Sequence, residues 1–82
     1  MISCQQYDYL EIACLYHFLV RITLEDQSVY EGIARDTRYN EHHQECLLIA
    51  IKQEEILLPT ELMLSLQALT DNPHFSLIEF NA

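Results

Sequence analysis

The sequence predicts a mainly β fold: a small, strongly bent, Sm-like β-barrel of five to six strands with one N-terminal α-helix. Three observations predict it. The hydrophobic period is 3.6 up to about His17 and becomes 2 from Phe18 onward. The segments after Phe18 are short, apolar and closely spaced, with turn clusters such as Asp26-Gln27-Ser28 and Asp71-Asn72-Pro73 between them. The chain has 82 residues, enough for one thin core, since a chain of this size buries about 60 to 65% of its unfolded surface. Residues 1–82 therefore read as a single domain, with the helix at about 4–17 and the barrel at about 18–80.

In the helix, Tyr9, Ile12, Ala13 and Tyr16 recur at i, i+3, i+4 and i+7, and Leu10 and Cys14 widen the apolar stripe. Asp8 and Glu11 share the opposite face, Leu15 lies beyond them, and Tyr7 stands at the margin. Two capping boxes fit: Ser3 with Gln6, or Asp8 with Glu11. The first would leave Asp8 and Glu11 as an exposed acidic pair; the second would make them local caps.

The strands follow in order. Val20, Ile22 and Leu24 alternate with Arg21, Thr23 and Glu25, as in a half-buried strand. Val29 to Asp36 reads as the returning strand of a hairpin, with Gly32 permitting a sharp bend or close backbone approach. Thr37 to Gln44 reads as a polar, mobile loop. Cys46 to Lys52 is apolar on both faces, as a central strand would be. Gln53-Glu54-Glu55 turns the chain into a short strand, Ile56 to Leu58, which Pro59 ends. Leu62 to Leu69 fits either period, and alternation at Leu62, Leu64, Leu66 and Ala68 favours a strand. His74 to Phe80 is the last strand.

Charge excludes whole classes of function. Four Lys/Arg against 13 Asp/Glu give a formal charge of −9, and the cations Arg21, Arg35, Arg38 and Lys52 are scattered. Polyanion binding draws on cations that replace condensed counterions, so neither direct nucleic-acid binding nor docking on anionic lipid is expected. The same field attracts a basic protein surface, or serves only to keep the chain in solution. The longest aliphatic run, Leu47 to Ile51, is far short of the roughly 20 residues of a membrane span. The opening residues have neither a basic region nor an apolar leader, so a cytoplasmic location is expected.

Cys4, Cys14 and Cys46 are an odd count, which suits reduced thiols rather than a disulfide framework. Cys14-x-x-His17 and His43-x-x-Cys46 together offer a tetrahedral zinc donor set. Neither pair carries the Gly or Pro of a knuckle turn, and Cys14 falls on the apolar helix face, where a small buried hydrophobe is the usual reading. A single glycine excludes phosphate-cradling loops, and neither Ser28 nor Ser65 sits in a nucleophile elbow. No enzyme chemistry, cofactor or metal is expected.

Two resemblances sharpen this reading. Val20-Arg21-Ile22-Thr23-Leu24-Glu25-Asp26 and Tyr30-Glu31-Gly32-Ile33 resemble the first two strands of an Sm-like barrel. Asp36-Thr37-Arg38-Tyr39-Asn40 is similar to the Asp-x-x-Met-Asn that follows them, at a shorter offset from the glycine. The Ile-Arg-Gly run that grips RNA in Sm proteins is missing, so the resemblance supports the barrel without RNA binding. The opening, Cys4-Gln5-Gln6-Tyr7-Asp8-Tyr9-Leu10-Glu11-Ile12-Ala13-Cys14, resembles the Cys-x-x-Tyr-Asp-x-Leu-Glu-Leu-x-Cys of the Rho-binding antiterminator (Rof) family. That resemblance implies an inhibitor of Rho, the hexameric RNA translocase that terminates transcription. It implies docking on the N-terminal oligonucleotide-binding-fold domain of the Rho hexamer, where RNA loading is blocked. The contact residues carried over are Tyr7, Asp8 and Glu11. An Sm-like RNA-binding or chaperone module and a small zinc protein are the competing readings.

Overall fold

The computed structural model describes residues 4–80. Its elements are α1 (Cys4–Leu15), β1 (Leu19–Leu24), β2 (Val29–Tyr39), β3 (Glu45–Ile51), β4 (Glu54–Pro59), a 3-10 turn (Thr60–Leu62), β5 (Met63–Ala68) and β6 (Leu77–Glu79). The strands form one six-stranded sheet in the order β4-β3-β2-β1-β5-β6, antiparallel throughout. The expected mainly β fold with one N-terminal helix is what the chain adopts.

The inward alternation of β1 is as the sequence reads: Val20 and Ile22 are fully buried and Leu24 nearly so. They pack with Leu47 and Ile49 of β3, Leu66 of β5, and Leu10 and Ala13 of α1 in one core. β3 buries Cys46, Leu47, Leu48 and Ile49 in succession, as a strand covered on both faces must. Gly32 resolves into close approach rather than a turn. A Cβ there would lie 2.5 Å from the Ala50 carbonyl oxygen, so only glycine lets β2 and β3 come this near.

Two bulges curve the sheet. On β2, Ala34 faces Ile49 and Asp36 faces Leu48, which leaves Arg35 as the extra residue. On β5, Leu24 faces Met63 and Thr23 faces Ser65, which leaves Leu64 extra. This second bulge changes which residues point inward. Met63 is buried while Leu62 is 44% exposed, so the predicted strand exists but the strict alternation from Leu62 does not.

Several boundaries differ from the expectation. β2 runs to Tyr39 rather than Asp36, because Thr37, Arg38 and Tyr39 find ladder partners in Leu47, Cys46 and Glu45. The polar loop shrinks to residues 40–44. β4 starts at Glu54, before the predicted Ile56, and the last strand is only Leu77–Glu79. Residues 71–75 turn instead around Asn72, whose side-chain oxygen accepts the N–H groups of His74 and Phe75.

The helix ends at Leu15 instead of His17. His17 adopts φ 53°, its N–H bonds the Cys14 carbonyl, and the Phe18 N–H bonds the Ala13 carbonyl at 2.9 Å. This is a Schellman closure with a histidine in the left-handed position, and buried Phe18 and Ala13 supply its apolar contact. The helix packs on β2, and the Gln6 side-chain amide donates to the Glu79 carbonyl at 3.0 Å. It thus bridges β2 to β6.

Candidate functional site

The orientation of α1 decides which residues are free to meet a partner. Leu10 and Ala13 are its fully buried axis. Tyr9 and Tyr16 lie on one flank: Tyr9 meets Phe75 edge-on at 5.4 Å, and Tyr16 stacks between Phe18 and His74 at 5.8 and 5.5 Å. The predicted apolar stripe is therefore turned so that Tyr16, 57% exposed, is an outer wall rather than core.

The other flank carries the predicted site. Because the helix begins at Cys4, Asp8 and Glu11 fall beyond its first turn, which holds no acidic residue. They are therefore not caps. Ser3, the alternative cap, lies outside the described residues. Asp8 and Glu11 are both exposed, and their three-residue spacing puts them on one face. The ion pairs among the described residues are Arg21–Glu31, Arg38–Asp36 and His42–Glu41, so neither Asp8 nor Glu11 has a cation of its own.

Tyr7 stands differently. It is half-buried and packs against the core. The Thr37 hydroxyl beside it lowers its pKa, but burial and the Glu45 carboxylate outweigh that effect and hold the phenol above its ordinary range. Tyr7 thus joins α1 to the ends of β2 and β3 and gives the site only its outer edge.

Glu11 also borders an open groove of about 390 Å3 between α1 and the β2 bulge, where Cys14 and Asp36 lie. Burial first, then the charges of Asp36 and Glu11, push the Cys14 thiol up to about 11. A thiol with that value is protonated at neutral pH, which suits a packing residue. Burial likewise raises the Cys46 thiol. Among the described residues no three His, Cys, Asp or Glu side chains come together as a metal-holding group. The Cys14-His17 and His43-Cys46 pairs therefore do not assemble one donor set. No helix among the described residues is long and apolar enough to cross a membrane.

The structure brings to the same side residues that the sequence left in a loop. Thr37 and Glu45 touch Tyr7, and Tyr39 pairs directly with Glu45 across β2 and β3. The signal was present as the alternation Thr37-x-Tyr39, hidden by the polar residues around it.

The fold has a known counterpart. A solved structure described as YaeO bound to magnesium, from Vibrio cholerae O395, is 45% identical to this chain. It superposes with a TM-score of 0.88, covering 93% of this chain and 99% of that one. No curated protein matches the chain. The model of the family described as modulators of Rho-dependent transcription termination (ROF) matches residues 1–80, from the Tyr7-Asp8 and Glu11 helix to the last strand. With nearly its whole length matched, the chain belongs to the ROF family of modulators of Rho-dependent transcription termination.

Proposed function

We propose that the chain inhibits Rho-dependent termination by laying α1 on the N-terminal, oligonucleotide-binding-fold domain of the Rho hexamer, so that RNA cannot load. One observation carries this reading: Asp8 and Glu11 stand exposed together in mid-helix, outside every ion pair among the described residues and without a capping task. A groove built to hold phosphates offers cations and flat apolar surface. Two carboxylates at helical spacing meet the first requirement, and the outer edge of Tyr7 meets the second. Family membership supports Rho as the owner of that groove. The role is one of binding alone, exercised in the cytoplasm where transcripts are made, with no cofactor and no direct contact to nucleic acid.

Capture of purified Rho hexamer on the immobilised chain tests this. Retention of Rho, and its release by excess pyrimidine-rich RNA, is expected. If RNA and the chain occupy Rho together, blockade of loading is wrong. Micromolar, salt-sensitive binding of that RNA by the chain itself would instead favour the Sm-like RNA-binding reading.

A further inference from the structure

Beside the helix site lies a smaller cleft, at the turn end of the β2–β3 hairpin. The hairpin closes on the Tyr39–Glu45 pair, and Asn40 holds the loop beyond it. The Asn40 side-chain oxygen accepts the N–H groups of His42 and Gln44 at 2.8 and 3.0 Å, and its amide donates to the Gln44 side chain at 2.9 Å. His43 takes the left-handed conformation, φ 61°. On the other side, the Thr60 hydroxyl donates to the Glu45 carbonyl at 3.3 Å, which ties the 3-10 turn to β3. These contacts frame a cleft of about 210 Å3 lined by Tyr39, His43, Gln44, Glu45, Thr60 and Glu61.

The lining chemistry selects the occupant. Glu45 and Glu61 contribute two carboxylates, the lining contains neither Lys nor Arg, and neither carboxylate takes part in an ion pair among the described residues. Tyr39 is 67% exposed, a large aromatic left in water where its ring borders those charges. An aromatic face beside carboxylates attracts a cation, through the ring quadrupole and through charge. The volume is smaller than the roughly 300 Å3 at which small-molecule pockets begin, and it suits one long side chain. The chain's charge of −9 disfavours any anionic occupant.

We propose that this cleft receives one basic side chain, a lysine or arginine, of the protein that meets α1. The inference rests on the reading of that partner as the N-terminal domain of Rho. Glu45 joins the two surfaces, since it borders the cleft and also faces Tyr7. The partner is thus gripped at two places, the open helix face and a partly open cleft that fixes its register.

Titration calorimetry of the full chain against the Rho N-terminal domain, at low and moderate salt, tests this with conservative variants. Glu61→Gln and Glu45→Gln remove charge but keep shape, and Glu45 holds Thr60 through its backbone carbonyl, which survives. Each is expected to weaken binding about tenfold, and Tyr39→Ala by about fivefold, while Tyr39→Phe, which keeps the ring face, stays within about twofold. Glu54→Gln, an exposed carboxylate in a different groove, removes the same charge elsewhere and is expected to stay within about twofold. Melting temperatures within a few degrees of wild type establish that the variants fold. If Glu61→Gln loses no more than Glu54→Gln, or Tyr39→Phe loses as much as Tyr39→Ala, the cleft holds no cation and the proposal fails. Wild-type chain that does not bind the domain overturns the proposed function and the cleft with it, whereas intact wild-type binding with an indifferent Glu61→Gln removes the cleft alone.

Discussion

The two flanks of α1 share one backbone and one buried axis yet do opposite work. On one, Tyr9 and Tyr16 pack into a row of rings with Phe18, His74 and Phe75, which fastens the helix to the segment before β6. On the other, Asp8 and Glu11 are exposed and take part in no ion pair among the described residues, while Tyr7 reaches back to the sheet. Ring contacts are short-ranged and need a fixed neighbour, so they suit anchoring. Carboxylates act over a Debye length, about 8 Å at physiological salt, so they suit an approaching partner. The difference teaches that a short helix can be held from one side firmly enough to leave the other for recognition.

Reversing the charge on the free flank should break that division most severely. Asp8→Arg and Glu11→Lys are expected to weaken Rho binding by about 2 to 5 kcal/mol each, much of it from leaving the partner's cation unpaired. Their melting temperatures should fall by a few degrees at most, because neither side chain supports the fold. Calorimetry with Rho alongside thermal unfolding checks this; variants that still inhibit Rho, or that fail only by unfolding, refute a recognition role.

Cutting the shared axis tests whether the flanks depend on one seating. Leu10 is fully buried, so Leu10→Ala should cost about 2 to 5 kcal/mol of stability. Denaturant unfolding reads that loss, and Rho binding should fall only in proportion to the unfolded fraction. A folded Leu10→Ala that cannot bind would mean that recognition needs finer helix placement than exposure alone implies.

The anchoring flank should respond in the converse way. Tyr16→Ala removes stacking on Phe18 and His74 and is expected to cost about 0.5 to 1.5 kcal/mol per lost ring pair. Unfolding should register this as a drop of several degrees, about 4 to 8 °C per kcal/mol for a domain of this size. Affinity for Rho should hold. A loss of affinity without a loss of stability would show that Tyr16 belongs to the interface.

At neutral pH the smallest expected effect comes from Cys14, beneath the acidic flank. Its folded value near 11 lies above the ordinary thiol value of about 8.5. The folded state therefore binds more protons than the unfolded chain between these values, and stability should decline as pH rises through that window. Below it, Cys14 adds no pH dependence. Cys14→Ala should flatten the alkaline decline in unfolding experiments, and an unchanged slope would assign that decline to other groups.

Much of this was legible along the chain. The inward set Val20, Ile22 and Leu24 follows from alternation alone, because strand side chains point to opposite faces at every step. Asp8 and Glu11 were readable as one face from their spacing. The strand at Tyr39 was not, since Thr37 to Tyr39 are polar enough for a loop and become a strand only by pairing with β3. Nor was the inward turn of Met63, because a bulge is a property of two strands in register rather than of one.

By itself the sequence determined the element types, the thin core and the acidic character, because periodicity and charge are properties of neighbouring residues. Only the tertiary structure decided that the capping alternative of Asp8 and Glu11 was not taken, that Tyr7 is shared between helix and sheet, and that Tyr39 and Glu45 close on Glu61. Each of these depends on residues far apart in the chain whose meeting is set by ladder register and helix seating, which no local pattern encodes.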